Sequence, residues 1–193
     1  MAGLVGLHVS RSEGSIVVLR PGLQTTVQDV HGRLGYWMVG VPPSGAMDNL
    51  SLALTNRIVG NDDDAAGLEM TVLGPSLRFE RSAVVALGGA PMDAKVDGRP
   101  VPFWEPLPVG VGSELSVGRL LGAGMRSYLA VSGGIDVPLV LGSRSTFALG
   151  GFGGHDGREL AAGDRLLIGR EPQERTPFGL RLDARPEIGS PWC

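Results

Sequence analysis

Residues 82–100 read Ser-Ala-Val-Val-Ala-Leu-Gly-Gly-Ala-Pro-Met-Asp-Ala-Lys-Val-Asp-Gly-Arg-Pro. An apolar run stops at a glycine pair, and a second short run meets Asp97-Gly98. Asp-Gly supplies two residues that tolerate positive φ, the requirement of a two-residue hairpin turn. Working outward, the same rhythm recurs. Residues 15–19 (Ser-Ile-Val-Val-Leu) end at Arg20-Pro21-Gly22, residues 65–72 end at Gly74-Pro75, and residues 76–79 form another short run. Beyond the hairpin come residues 100–104, 113–117, 127–131 and 164–168. Short runs punctuated by 31 glycines and 14 prolines predict a mainly β domain, a barrel or sandwich. One helix is predicted, over residues 49–59. Leu50, Leu52, Leu54, Ile58 and Val59 give it an apolar face, Asp48 a cap and Gly60-Asn61 a stop.

Composition narrows the function. With 42% hydrophobic residues among 193, the chain can fill a core. A net charge of −3 argues against a nucleic-acid-binding surface, which needs clustered positive charge. The basic residues are sixteen arginines and one lysine, Lys95, and no Gly-Lys-Ser/Thr phosphate loop occurs. Cys193 is the only cysteine, so no disulfide framework forms within the chain and a cytoplasmic setting is expected. His8, His31 and His155 lie at no metal-ligand spacing, and no metal is expected. No apolar run approaches the ~18 residues of a membrane span. Residues 1–14 read as a loose leader, 15–170 as the domain and 171–193 as a divergent tail. Residues 178–182 could add one more strand.

Residues 22–48 are different in kind. They set Gln28, Asp29, Arg33, Ser44 and Asp48 among glycines and a Pro-Pro pair. Arg33 suits bidentate contact with a carboxylate-like group, and Gln28 and Asp29 suit orientation of an amide or proton transfer. The alternative is an internal Asp–Arg pair that pins a loop. Ser44-Gly45 offers a hydroxyl and an open N–H, or is simply a Pro-fixed turn before the Asp48 cap. Residues 143–146 place Arg144 among Ser143, Ser145 and Thr146, either an anion site or a hairpin corner. Residues 150–158 bring His155 and Arg158 onto a glycine-rich loop, with His155 a candidate acid or base.

The segments at 22–48, 56–74, 128–146 and 151–164 together resemble the carboxyltransferase-domain family, also known as allophanate hydrolase subunit 2, as KipA-type proteins or as the C component of 5-oxoprolinase. The resemblance implies a cyclophilin-like β-barrel and a subunit of an ATP-dependent complex that opens 5-oxoproline to glutamate. The implied partners are a KipI-type B component and a LamB/YcsF-type A component, with ATP used at the level of the complex. In the urea carboxylase branch the same domain serves biotin-dependent carboxyl transfer to urea, the biotin being carried by another protein. A third reading is a non-catalytic regulator that binds a KipI-type partner. All involve either a small amide substrate or a protein partner. From their own chemistry, with which the resemblance agrees, Gln28, Asp29, Arg33 and His155 are expected as catalytic residues. Ser44, Gly45, Arg144, Ser145, Thr146 and Arg158 are expected to bind substrate. Relative to the family the chain is expected to be shortened at its C-terminus.

Overall fold

The computed structural model describes residues 14–171 and 176–186. The expected leader and much of the expected tail lie outside the described residues. The strands are β1 (Ser15–Arg20), β2 (Thr25–Gln28), β3 (Gly67–Thr71), β4 (Ser76–Phe79), β5 (Ala83–Gly89), β6 (Met92–Val96), β7 (Arg99–Pro100), β8 (Leu107–Val109), β9 (Glu114–Leu120), β10 (Arg126–Val131) and β11 (Arg165–Leu167). The helix is α1 (Asn49–Ile58). The mainly β expectation holds, with this helix beside it.

Two antiparallel sheets face each other. One is six-stranded in the order β11-β1-β4-β9-β6-β7, and the other five-stranded in the order β2-β3-β10-β5-β8. Among the described residues the end strands of the two sheets do not pair with one another, so the β architecture is an open two-sheet form. Alternation along each strand sends one set of side chains between the sheets. Ile16 and Val18, Leu77 and Phe79, and Leu115 and Val117 meet Leu68 and Met70, Val85 and Leu87, and Leu129 and Val131 there. Each such side chain contributes roughly 1.5–3 kcal/mol when fully buried. The hairpin at Asp97-Gly98 forms as its sequence predicts, with φ of 49° and 78° joining β6 to β7.

Helix α1 covers the outer face of the five-stranded sheet. Asp48 caps it, accepting from Ser51 N at 3.0 Å and Ser51 Oγ at 2.6 Å. Leu52 packs with Ala46 and Tyr128, and Ile58 with Ala86, Ala130 and Trp104. The close approach needs Gly88, where an added Cβ would overlap Thr55 Oγ1 and the Trp104 ring.

Three expectations are corrected. Residues 25–28, read as part of a polar loop, form the buried edge strand β2. Of residues 100–104, Pro100 belongs to β7 and Val101 N still bonds Ala94 O at 3.0 Å, but the rest leaves the sheet, and Trp104 turns at φ 66° to donate its N–H to Leu87 O at 2.7 Å. Residues 178–182 add no strand. Phe178 N bonds Ile58 O at 3.0 Å and Leu180 N bonds Trp104 O at 2.9 Å, so this stretch lies beside the helix end and Trp104.

Candidate functional site

Asp29 follows β2 directly and is almost completely buried. Its Oδ1 accepts from Gly32 N at 2.9 Å and Ser145 Oγ at 2.7 Å. Its Oδ2 accepts from Arg144 N at 2.6 Å and Ser143 Oγ at 2.8 Å. The Asp29 N–H donates to Ser145 Oγ at 2.9 Å, and its carbonyl accepts from Ala46 N at 2.9 Å. One residue therefore ties together its own turn, the loop at 42–46 and the loop at 143–146. A buried carboxylate is tolerated only when donors replace its hydration, and here main-chain N–H groups and two serines do so.

Arg33 is fully buried. Its Nε donates to Val140 O at 3.0 Å, and Nη2 donates to Ser145 O. Its guanidinium lies 5.0 Å from the centroid of the Phe152 ring, which meets Phe147 edge-on with centroids 5.3 Å apart. Burial pulls the guanidinium pKa below its ordinary value, and the nearby Asp29 carboxylate partly offsets this. Its Nη1 is buried with no hydrogen-bond partner, as is Gln28 Oε1, while Gln28 Nε2 donates to Thr26 Oγ1 at 3.0 Å. Above Arg33 lies Gly153. A Cβ there would overlap Arg33 Nη2 and Ser145 O, so the chain passes over the guanidinium only because this residue is glycine.

Ser44 and Gly45 close the same network from another side. Arg33 N donates to Pro43 O at 2.6 Å, and the turn places Ser44 at φ 58° and Gly45 at φ 90°. A second clamp holds this loop to the sheet. The Tyr128 hydroxyl accepts from Asp48 N at 2.7 Å and donates to Glu69 Oε2 at 2.9 Å, and Met47 N donates to the same Glu69 oxygen at 2.7 Å. Burial first, and then the Glu69 charge, drives the Tyr128 pKa far above its ordinary value. Thr146 binds the open edge of β2, its N and Oγ1 both 2.9 Å from Val27 O.

His155 and Arg158 sit on the far side of the glycine loop, which joins the network where Gly154 N donates to Arg144 O at 3.1 Å. Arg158 is bidentate to Asp164 at 2.8 and 2.9 Å. Those bonds are the main cause of an Asp164 pKa depressed to about 2. His155 Nε2 lies 3.6 Å from Asp164 Oδ1 and faces a cleft of about 530 Å³ lined also by Asp136, Val137, Phe152, Asp156 and Arg165. A second cleft of about 560 Å³, between Arg57, Asp62, Asp63, Thr176 and Phe178, holds none of the sequence candidates.

The structure thus brings Gln28, Asp29, Arg33, Ser44, Gly45, Arg144, Ser145 and Thr146 into one region. It turns Asp29, Arg33, Ser145 and Thr146 inward onto protein partners and Arg144 Nε onto Val137 O at 3.1 Å, and sets His155, largely covered, beside Asp164 on the wall of the cleft. Sequence reasoning named Ser143 only as a hydroxyl beside Arg144, and missed Phe152, Asp164, Glu69 and Tyr128 as parts of this region. A phenylalanine flanked by glycines and an aspartate closing Gly157-Arg158-x-Leu160-x-x-Gly163-Asp164 were the available signals for two of them. Among the described residues no group of three or more His, Cys, Asp or Glu is placed to hold a metal ion, and no helix is long and apolar enough to cross a membrane.

Residues 39–190 match the family model of the carboxyltransferase domain, subdomain A and B. Urea amidolyase of Saccharomyces cerevisiae is 48% identical over 154 residues, 80% of this chain and 8% of that protein. The C component of 5-oxoprolinase from Escherichia coli is 44% identical over 157 residues, 81% of this chain and 50% of that protein. The crystal structure of the Kluyveromyces lactis urea amidolyase superposes with a TM-score of 0.87 at 41% identity, covering 91% of this chain and 11% of that one. The chain spans about half the length of the 5-oxoprolinase relative and a small part of the urea amidolyases. With the family model matched over most of its length, the chain belongs to the carboxyltransferase-domain family.

Proposed function

We propose that this chain is a component of a multi-part, cytoplasmic enzyme acting on a small amide, with ATP-dependent opening of 5-oxoproline to glutamate as the first reading. The observation that carries it is convergence. Residues 29–33 and 42–48, 143–146 and 151–158, which lie within three of the four family-like stretches, are bonded into one region. In this reading Gln28, Asp29 and Arg33 set the shape of the site. His155 lines the cleft beside Asp164. Ser44, Gly45 and Arg144 border the substrate, with Ser145, Thr146 and Arg158 fixing the loops behind them.

The partners in this reading are a KipI-type B component and a LamB/YcsF-type A component. ATP belongs to the complex. This chain offers no phosphate loop, and Lys95, its single lysine, lies in the β6–β7 hairpin 2.8 Å from Asp93. The 48% identity to a urea amidolyase supports a second reading, carboxyl transfer from a biotin carried by another protein to urea. Reconstitution separates the two. The chain mixed with the A and B components of 5-oxoprolinase should yield glutamate that depends on ATP and falls in His155→Ala. With a full-length C component active as the control, no glutamate sinks the first reading. Carboxylation of urea when a biotin carboxylase and carrier are supplied establishes the second.

A further inference from the structure

Val27, Leu68, Met70 and Leu129 point between the sheets, so alternation sends their neighbours to the outer face of β2, β3 and β10. Those neighbours are polar: Thr26 and Gln28, Glu69 and Thr71, Tyr128 and, two positions before it, Arg126. Helix α1 packs on β5 and β10, and this polar strip lies beside it. Thr26, Glu69 and Tyr128 are register partners and form one row across the three strands. Gln28 reaches that row from one side, its Nε2 donating to Thr26 Oγ1 at 3.0 Å. Arg126 reaches it from the other, its Nε 3.4 Å from Glu69 Oε1. Gln28 is 7% exposed, and its Oε1 is buried without a hydrogen-bond partner. Arg126 Nε is also buried and makes no hydrogen bond, its approach to Glu69 being an ion-pair contact alone. Glu69 Oε2 is already taken by Met47 N and the Tyr128 hydroxyl. The row thus holds one unanswered acceptor and one unanswered donor, on opposite sides of Thr26 and Glu69, and buried polar atoms are rarely left so. The side chains of Glu69 and Arg126 keep 12% and 21% of their surface exposed, so the row opens to solvent at their end.

We infer that this strip is an amide-binding subsite, in which Gln28 Oε1 accepts an N–H of the ligand and Arg126 Nε donates to its carbonyl oxygen. A group that carries both, an amide, a lactam or a ureido group, answers both atoms. A carboxylate answers Arg126 alone and meets the charge of Glu69. Glu69 is a positioning residue here: it holds Arg126 and, through Met47 N, the loop of Ser44 and Gly45. The inference rests on the reading of this domain as one that acts on a small amide, and it adds Arg126 and Glu69 to the residues that meet or place that amide.

Titration of the intact chain tests it, with no ATP or other component present. Ligands of so few heavy atoms bind with dissociation constants on the order of millimolar, so urea, 5-oxoproline and acetate are each added to about 100 mM. Heteronuclear NMR follows the Gln28 side-chain amide and the Met47 N–H. Saturable shifts with urea or 5-oxoproline, and none with acetate, are expected, and the arm that saturates tells a ureido from a lactam ligand. Gln28→Met, which keeps the side-chain length and removes the acceptor, should weaken binding about tenfold or more, and so should Arg126→Gln. If Gln28→Met does not fold, Arg126→Gln at the more exposed end carries the comparison. Shifts that stay linear with both amides overturn the inference. So do affinities unchanged in the variants, or acetate binding as tightly as the amides. Glutamate formation by the reconstituted complex without binding here sinks this site and leaves the reaction standing, whereas binding without glutamate keeps the site and sinks the first reading.

Discussion

Asp29→Asn keeps the side-chain volume and exchanges one carboxylate oxygen for an amide nitrogen. Whichever way the amide turns, its NH2 meets a main-chain donor, either Gly32 N or Arg144 N. Ser143 and Ser145 can rotate their hydroxyls, but a main-chain N–H cannot reverse. One buried N–H then loses its acceptor, about 1–3 kcal/mol, and the remaining bonds lose charge assistance at about 1 kcal/mol each. The sum is about 3–5 kcal/mol, a large share of the roughly 5–15 kcal/mol that holds such a domain. Urea unfolding at neutral pH measures it, and the melting temperature should fall by about 10 °C. The double variant with Ser145→Ala should lose less than the sum of the single losses, because the two side chains share one network. A loss below about 1 kcal/mol would refute the assignment of Asp29 as the tie between three loops. Unchanged stability with lost activity would instead mark the carboxylate as a group that meets the substrate.

Three further outcomes follow from the geometry. Gly153→Ala should cost about 3 kcal/mol or more, because its Cβ overlaps Arg33 Nη2, whereas Gly151→Ala, at φ 67° with nothing within 4 Å of the new Cβ, should cost only about 1 kcal/mol; paired thermal melts decide. Asp164 has a folded-state pKa depressed from 3.8 to about 2, so its contribution is present above its unfolded value and lost as pH falls through that window. Between about pH 4 and 2 the parent protein should therefore lose about 1 kcal/mol more than Asp164→Asn, a figure reduced for the 43% exposure of Arg158, and equal slopes in acid titrations of unfolding would contradict this. Tyr128→Phe leaves Asp48 N without its acceptor and takes one donor from Glu69, which keeps Met47 N, and should cost about 1–3 kcal/mol with faster amide exchange at Asp48.

What the sequence made legible was local. The Asp48 cap, the helix that follows it and the Asp97-Gly98 hairpin each depend on neighbouring residues, and each formed where its residues called for it. Strand β2 was illegible because Thr25, Thr26 and Gln28 are polar. They are buried by tertiary packing and not by their own character. Residues 100–104 misled in the opposite sense, since an apolar run with two prolines passed for a strand. The residue types of the candidate site were also legible, and so was the choice between ligand contact and an internal pin. The direction each side chain faces was not, because it depends on which distant loop lies opposite. Arg33 near Asp29 in sequence suggested a pair, but the guanidinium reaches carbonyls more than a hundred residues away.

That distance has a consequence for how the molecule is made. Asp29 and Ser145 stand 116 positions apart. At about 5–20 residues per second of synthesis, roughly 6–23 s separate the appearance of the carboxylate from that of its donors. During that interval Asp29 stays hydrated, and the turn at 29–33 and the loop at 42–46 lack the tie that later fixes them. Strand β1 waits longer still for β11, whose Ser15–Leu167 and Val17–Arg165 pairings close the six-stranded sheet from the far end of the domain. The helix and the hairpins can form as they emerge, but the candidate site is among the last parts of the newborn chain to take shape.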